Sequence, residues 1–172
     1  LLRDCKITQI YEGTNGIQAM DLLARKLMLN DGSAFASLLA EVEKIIESAA
    51  AIERLSGVST VLDSALIRLK EVAGILVKGM GNQHLFDVFA NAVPLLDVTG
   101  DVLMSWMLLW RATIAVEKLA GKVKKKDVEF YQGQIDGARY FINTVLPVSM
   151  AKMDVIERLD SNVMGISEAA LG

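Results

Sequence analysis

The chain has 172 residues, the size of one domain, and 52% of them are hydrophobic, which is enough to bury a core. The net charge of −3 gives no electrostatic case for nucleic acid as a partner. A single cysteine rules out an internal disulfide framework. One cysteine and one histidine together leave too few soft ligands for a transition-metal site. The first residues are Leu-Leu-Arg, without an initiator methionine, so we expect a fragment of a longer protein.

The chain opens with a segment unlike the remainder. Residues 6–11 are β-rich and alternating, and residues 12–16 carry two glycines and an Asn-Gly pair, a strong turn signal. We predict that a helix starts near Ile17, with Thr14 or Asn15 as its cap. Its apolar face is predicted from helical spacing to be Met20, Leu23, Leu27 and Ala24.

The Asn-Asp-Gly run at 30–32 ends that helix and marks a boundary. Apolar periodicity then predicts four long helices, over residues 33–55, 59–78, 85–119 and 127–159. We expect Ser56 and Gly57 to separate the first two, and Asp127 to cap the fourth. Prolines and a glycine predict kinks or brief interruptions at Pro94, Gly100 and Pro147.

Long helices with short connectors favour an all-α fold, an up-and-down four-helix bundle preceded by a short loop and one extra helix. We predict two units, residues 1–31 and residues 32–172. The third bundle helix is apolar on most of its circumference over Val102–Trp110, so it should be the most buried of the four. That stretch is too short to span a bilayer, and we expect no membrane span.

Residues 3–18 read RDCKITQIYEGTNGIQ. This stretch closely resembles the C-terminal signature of acyl-CoA dehydrogenases, R-D-x-x-I-x-x-I-Y-E-G-T-[NS]-x-I-Q, and residues 19–26 continue the likeness. The helical remainder, including residues 131–147, is similar to the domain that larger members of the family add after the catalytic core. On this resemblance, residues 1–31 are the end of the catalytic core, and residues 32–172 are the appended helical bundle.

The resemblance implies an FAD-dependent enzyme that converts an acyl-CoA thioester to its trans-2-enoyl form. Glu12 matches the catalytic base, which removes the α-proton while hydride leaves the β-carbon for FAD. Gly13 matches a position that touches substrate. Thr14, Asn15 and Gly16 match positions that contact FAD, as expected for N–H groups at a helix N-terminus near a phosphate.

The family also implies an electron-transfer flavoprotein as partner, a homodimer or homotetramer, and a bacterial cytoplasmic location. The family's flavin-holding β domain and its other upstream parts are absent from these 172 residues, so we expect the chain alone to be inactive and free of FAD. The alternative from another functional class is a non-catalytic helical module for docking or oligomerisation. The apolar bundle motivates this alternative, because helices detached from the rest of an enzyme can expose apolar patches that self-associate.

Other residues have a plain structural interpretation beside a functional one. Cys5 matches a variable signature position and should be inert. His84 should be a cap or surface residue rather than catalytic. Asp97 and Asp101, four residues apart, could form an acid pair, but solvated carboxylates at a local kink are favoured.

Two further clusters also have both a functional and a structural interpretation. One is a basic loop that could meet an acidic partner or anionic lipid, although solvated loops are commoner. Its lysines are Lys122, Lys124, Lys125 and Lys126. The other cluster has core spacing and is expected to be buried rather than to hold a cofactor. It comprises Met104, Trp106, Met107 and Trp110.

Overall fold

A computed structural model describes residues 14–81, 85–159, 166–170 and 172. These residues form helices and turns, and no β-strand occurs among them. The α-helices are α1 (Thr14–Asp21), α2 (Ser33–Ala50), α3 (Glu53–Gly79), α4 (Leu85–Ala90), α5 (Ala92–Ala120) and α6 (Lys125–Glu157). A π-helical turn, Leu22–Lys26, follows α1, and one 3₁₀ turn occupies Glu168–Ala170. The all-α prediction is confirmed.

The lead helix begins at Thr14, earlier than the predicted start near Ile17. Its π turn carries a hydrogen bond from the Leu27 N–H to the Leu22 carbonyl, 3.0 Å long. Because a π turn holds more residues than an α turn, it rotates the helix face. The predicted apolar face is therefore only partly right. Its buried members are Leu23 and Leu27, now joined by Ala19 and Leu22, while Met20 and Ala24 are exposed.

The turn after α1 is the one that the sequence predicts. Asn30, Asp31 and Gly32 have φ values of 52°, 57° and 82°, in the left-handed region. Asparagine, aspartate and glycine tolerate this region better than other residues. The Ser33 hydroxyl donates to the Asn30 carbonyl at 2.8 Å and closes the turn as α2 begins.

The break between α2 and α3 differs from the prediction. It falls at Ala51 and Ile52, and Gly57 lies inside α3. A glycine inside a helix costs about 1 kcal/mol. Burial of Leu55 and Val58 on the same helix contributes about 1.5–3 kcal/mol each, which outweighs that cost.

The predicted interruption near Pro94 is confirmed, and the one at Gly100 is wrong. Two helices, α4 and α5, meet at Asn91, and Pro94 lies in the first turn of α5. Proline has no N–H to donate to the Ala90 carbonyl, so one helix cannot run through both segments without losing that bond. In the first turn of α5 the missing N–H of Pro94 costs no hydrogen bond, because N–H groups there have no partner within the helix.

The last bundle helix starts slightly earlier than predicted. Lys124 has extended backbone and caps α6, and Asp127 lies in the first turn, where its carboxylate favours the positive end of the helix. Pro147 lies inside α6, and the helix continues past it to Glu157. Pro147 is exposed, as is Asn143, whose carbonyl the proline leaves without its usual donor. Water can take that carbonyl.

Side-chain pairs between helices establish their directions. Asp101 accepts from the Ser149 hydroxyl at 2.6 Å, and Asp97 accepts from Lys152 at 3.3 Å, so α5 and α6 are antiparallel. Another set joins α3 to α6 in ascending order along both helices, so these two run parallel. Its bonds are Arg54 to Gln132 at 2.8 Å and Arg68 to Asp154 at 2.9 Å.

Only two residues join α2 to α3, so these two helices are antiparallel neighbours, and the four long helices alternate in direction along the chain as an up-and-down bundle requires. The most extensive contact is between α5 and α6; α3 also packs against α6, and α2 packs against both α3 and α5. The helices α3 and α5 touch across the middle, with α2 and α6 at the outer corners. The lead helix α1 rests on α5.

The expectation that the third bundle helix is the most buried is wrong. Eleven of the 27 residues of α3 are buried, against ten of the 29 in α5. By length and composition alone α5 could cross a membrane, and 39% of its apolar window is buried inside the bundle. Its partners in the bundle cover one side, and an apolar outer side is left exposed.

Candidate functional site

The residues that the sequence singles out for catalysis lie at the start of α1. Glu12 and Gly13 fall outside the described residues. Thr14, Asn15 and Gly16 form the first turn of the helix, with Thr14 half-buried and the other two exposed. The structure thus brings the three predicted cofactor contacts together on one helical turn.

This turn has the general properties of an anion site. The first four N–H groups of a helix have no partner within it, and they carry partial positive charge. No acidic residue occupies the first turn of α1 to compete for them. A Cβ added to Gly16 would meet no atom within 4 Å, so the backbone there is open to close approach. A phosphate-bearing ligand fits this arrangement.

The other end of α1 is held by a charged clamp. Arg25 donates to both carboxylate oxygens of Asp21, at 2.6 and 2.8 Å, and Lys26 lies 3.2 Å from the same carboxylate. The hydrogen bond from Arg25 lowers the pKa of the Asp21 carboxyl to about 2. In return, that carboxylate raises the pKa of Arg25. The pair joins the end of α1 to the π turn.

The lead helix is seated on α5 by its buried side chains. Ala19 and Leu23 are fully buried, and Leu27 nearly so, while Ile17 and Met20 remain exposed beside the first turn. Packing on α5 therefore determines the direction in which the first turn of α1 faces. The exposed pair leaves an apolar border next to that turn.

The two aspartates on α5 do not form an acid pair. Each carboxylate is bonded to a different residue of α6: Asp97 to Lys152, and Asp101 to Ser149. The helix is also unbroken at this point, since α5 is continuous through Gly100. The two carboxylates serve to align α5 with α6.

The aromatic and methionine cluster on α5 is less buried than predicted. Trp106 is half-buried and stacks on Trp110, with ring centroids 6.1 Å apart and planes 17° apart. Met104, Met107 and Trp110 are exposed. Within the described part of the chain, the buried indole nitrogen of Trp106 has no hydrogen-bond partner. This side of α5 is an outer apolar face rather than core.

Several remaining predictions concern the surface. The four lysines of the basic loop are all exposed, at the turn before α6 and in its first residues. His84 and Cys5 fall outside the described residues. Among the residues that the structure describes, no three His, Cys, Asp or Glu side chains are grouped so as to hold a metal ion.

Sequence reasoning missed a groove between α2 and α3. Its volume is about 470 Å³, and its walls are mainly apolar, with an ion pair between Glu43 and Lys70 at one end. Small residues, Ala36, Ala73 and Gly74, leave the space open. Their alignment across two helices was the only available signal, and it requires the packing register to be known.

Comparison with known proteins adds a family and several relatives. The family model described as "Acetyl-CoA dehydrogenase C-terminal like" matches residues 38–167. The broad-specificity linear acyl-CoA dehydrogenase FadE5 of Mycobacterium tuberculosis is 32% identical over 98% of this chain. The 3-methylmercaptopropionyl-CoA dehydrogenase of Ruegeria pomeroyi is 34% identical over 84% of the chain. A butyryl-CoA dehydrogenase of Syntrophomonas wolfei is 24% identical over 99%.

The chain spans only part of these relatives. The aligned region amounts to 28% of the mycobacterial protein, 24% of the Ruegeria protein and 28% of the Syntrophomonas protein. The similarity therefore covers the helical bundle and the segment before it.

Proposed function

Because this chain belongs to the acetyl-CoA dehydrogenase C-terminal-like family, we propose that it forms the C-terminal part of an FAD-dependent acyl-CoA dehydrogenase. The observation that carries the proposal is the signature over residues 3–18, ending on a helix start. Relatives named acyl-CoA dehydrogenases align with nearly the whole chain, which supports the same assignment. The reaction is α,β-dehydrogenation of an acyl-CoA thioester, and electron-transfer flavoprotein is the proposed electron acceptor.

In this proposal Glu12 removes the α-proton of the thioester. That proton is only weakly acidic, so the base must be desolvated and the thioester carbonyl must accept hydrogen bonds. The backbone N–H of Glu12 is one such donor, and Gly13, without a side chain, lets the backbone approach substrate. FAD, when bound, supplies the electron sink for the hydride from the β-carbon.

Thr14, Asn15 and Gly16 are the proposed cofactor contacts. Their place in the first turn of α1 supports this role, because the N-terminal turn of a helix carries partial positive charge that favours a phosphate. Packing of α1 on α5 orients that turn, so the bundle contributes to the site through position.

The role of Glu12 is tested in an enzyme of the relatives' full length that carries this C-terminal segment. We expect Glu12→Gln to reduce kcat by about 10²–10⁴-fold, because the amide cannot accept the proton. Butyryl-CoA dehydrogenation is the readout, and flavin content checks that the cofactor site is intact. Glu41→Gln, an exposed change on α2, is the matched control. Full activity of Glu12→Gln contradicts the assignment.

The chain by itself gives a second test. We expect the 172-residue protein to purify without flavin absorbance and to show no turnover of acyl-CoA with an artificial electron acceptor. A helix N-terminus supplies only part of a cofactor site, and one side of a cofactor cannot hold it tightly. Tightly bound flavin in the isolated chain would contradict this expectation.

A second candidate function is that of a docking or oligomerisation module. The observation that favours it is the exposure of large apolar side chains on the outer sides of α5 and α6. Exposed apolar patches on a folded domain commonly mark an interaction surface. Sedimentation of the chain over a range of concentrations distinguishes a self-associating module from a monomer. The two candidates are compatible, since one concerns catalysis and the other assembly.

A further inference from the structure

The groove between α2 and α3 is bounded at both of its ends. The turn that precedes α2 borders one end, through Leu27 and Gly32. At the other end Lys70 of α3 donates to Glu43 of α2, and this ion pair crosses from one helix to the other. The volume of about 470 Å³ between these limits is that of a small-molecule site. The groove is therefore a bounded recess rather than an open apolar face.

The bundle core holds the walls of the groove in place. Leu39 and Leu27 are 3% and 4% exposed, and Ala73 is buried as well. Phe35 and Val77 are half-buried and pack against the same core. Because close packing in the core fixes these side chains without any ligand, the groove is already formed in the free chain.

A glycine in the middle of α3 keeps the groove open. Gly74 lines the groove, and a Cβ at this position would meet no atom within 4 Å. Glycine weakens a helix interior by about 1 kcal/mol relative to alanine. Among the described residues, no side chain occupies the space that Gly74 leaves. The helix thus carries a cost at this position that its own packing does not offset.

The dimensions of the groove favour a thin linear chain over a helix. It runs beside α2 from Gly32 to Glu43, about 16 Å at a rise of 1.5 Å per residue. Packed helices lie about 8–10 Å apart, whereas a helix with its side chains is about 10–12 Å across, so a third helix cannot enter. An extended alkyl chain adds about 1.25 Å per carbon, so about eight to ten carbons and a head group fill this length.

The ion pair at the end of the groove favours an uncharged head group. An anionic head would have to displace Glu43 from Lys70, and a cationic head would have to displace Lys70 from Glu43. An ammonium has three donors and a carboxylate has several lone pairs, so each partner keeps bonding capacity while the pair is intact. A head that both donates and accepts, such as an amide or a hydroxyl, can bond to both partners.

The charged side chains beyond this pair add no excess of positive charge. Arg68 is shared among three carboxylates, which are Glu71, Asp154 and Glu157. Lys78 lines the neighbouring surface of α3, and Glu47 lies one turn beyond Glu43 on α2. An anionic ligand therefore gains no net attraction at this end of the groove.

We propose that the groove between α2 and α3 binds a linear alkyl chain of about eight to ten carbons with an uncharged amide or hydroxyl head. The head bonds to the pair of Glu43 and Lys70, and the chain lies along the apolar walls toward the turn at Gly32. This site is separate from the first turn of α1 and does not depend on the role of Glu12. It adds a binding activity to the proposed function, and either can fail without the other.

The first test is isothermal titration calorimetry of the 172-residue chain with octanamide, octanoate and octylamine. We expect octanamide to bind at one site per chain, with a dissociation constant about tenfold or more below those of the two charged ligands, whose heads must disrupt the ion pair. Absence of saturable octanamide binding would overturn the inference. Octanoate or octylamine bound as tightly as octanamide would overturn the choice of an uncharged head.

A matched pair of glycine variants tests the location of the site. Gly74→Leu fills the groove and should raise the dissociation constant for octanamide about tenfold or more. Gly57→Leu makes the same change in the same helix, where a Cβ also meets no atom within 4 Å, but outside the groove. It should leave the dissociation constant within about twofold. Both variants remove a helix-weakening glycine, so their thermal midpoints should not fall. Binding that Gly74→Leu leaves unchanged, or that both variants weaken equally, would overturn the assignment to this groove.

The role of the ion pair is tested by Glu43→Gln. Lys70 then lacks its carboxylate partner, so octanoate should bind about tenfold or more tightly than it binds to the wild-type chain. Glu41→Gln is the matched control, because it removes a carboxylate that pairs with Lys44 on the same helix, away from the groove. It should leave octanoate affinity unchanged. An equal gain in both variants would show that net charge alone governs binding and would overturn the proposed place of the head group.

Discussion

Gly79 illustrates how one residue is determined by a contact that the sequence does not display. The Gly-Met-Gly-Asn run at 79–82 reads as a turn, but Gly79 is buried and helical, at the last position of α3. A Cβ at this position would come within 2.6 Å of a methyl group of Val88 on α4. The glycine is therefore what allows α4 to pack against the end of α3.

We expect Gly79→Ala to destabilise the chain by about 1–3 kcal/mol, because the stiff valine must move or α4 must shift. Urea unfolding followed by circular dichroism measures the change. Gly57→Ala is the matched control: it lies in the same helix with no atom within 4 Å of the new Cβ. It should stabilise by about 0.5–1 kcal/mol. If both variants shifted stability in the same direction, the contact with Val88 would carry no energetic weight.

The lead helix shows what the sequence could predict of the candidate site. Its turn residues predict a helix start near Ile17 with Thr14 or Asn15 as cap, whereas the structure begins the helix at Thr14, so that Thr14, Asn15 and Gly16 form its first turn. The π turn after Asp21 was not predicted, because it depends on seating α1 against α5 rather than on local propensity. The roles of Glu12 and Gly13 stay predictions.

The clamp across this π turn makes the element sensitive to acid. Asp21 has a folded pKa of about 2, below the value of about 3.9 in an unfolded chain. Its contribution to stability is therefore present above about pH 4 and is lost as pH falls toward the folded value. We expect Asp21→Asn to lower the thermal midpoint slightly at neutral pH and to change it little near pH 2. A difference that persisted undiminished at pH 2 would contradict this account.

At the scale of the whole molecule, the sequence predicted the helix count of the bundle and its alternating directions. Hydrophobic periodicity and short connectors are local signals, and the helices of the bundle agree with what both predict. Positions of breaks depended on tertiary packing: burial of Leu55 and Val58 carried α3 through Gly57. Which side of α5 would be covered could not be read from composition, since an apolar helix looks the same whether its partners cover it wholly or in part.

The bundle's arrangement also bears on how the chain acquires its structure. The helices with the largest contact, α5 and α6, are joined by only four residues, 121–124. Closing so short a loop loses little entropy, and the two-residue connection between α2 and α3 loses little as well, so these two hairpins form at the lowest cost. The parallel contact of α3 with α6 spans far more chain and must form afterwards, on a template that already exists. We therefore expect two hairpins, α2 with α3 and α5 with α6, to form first and the contact of α3 with α6 to join them afterwards.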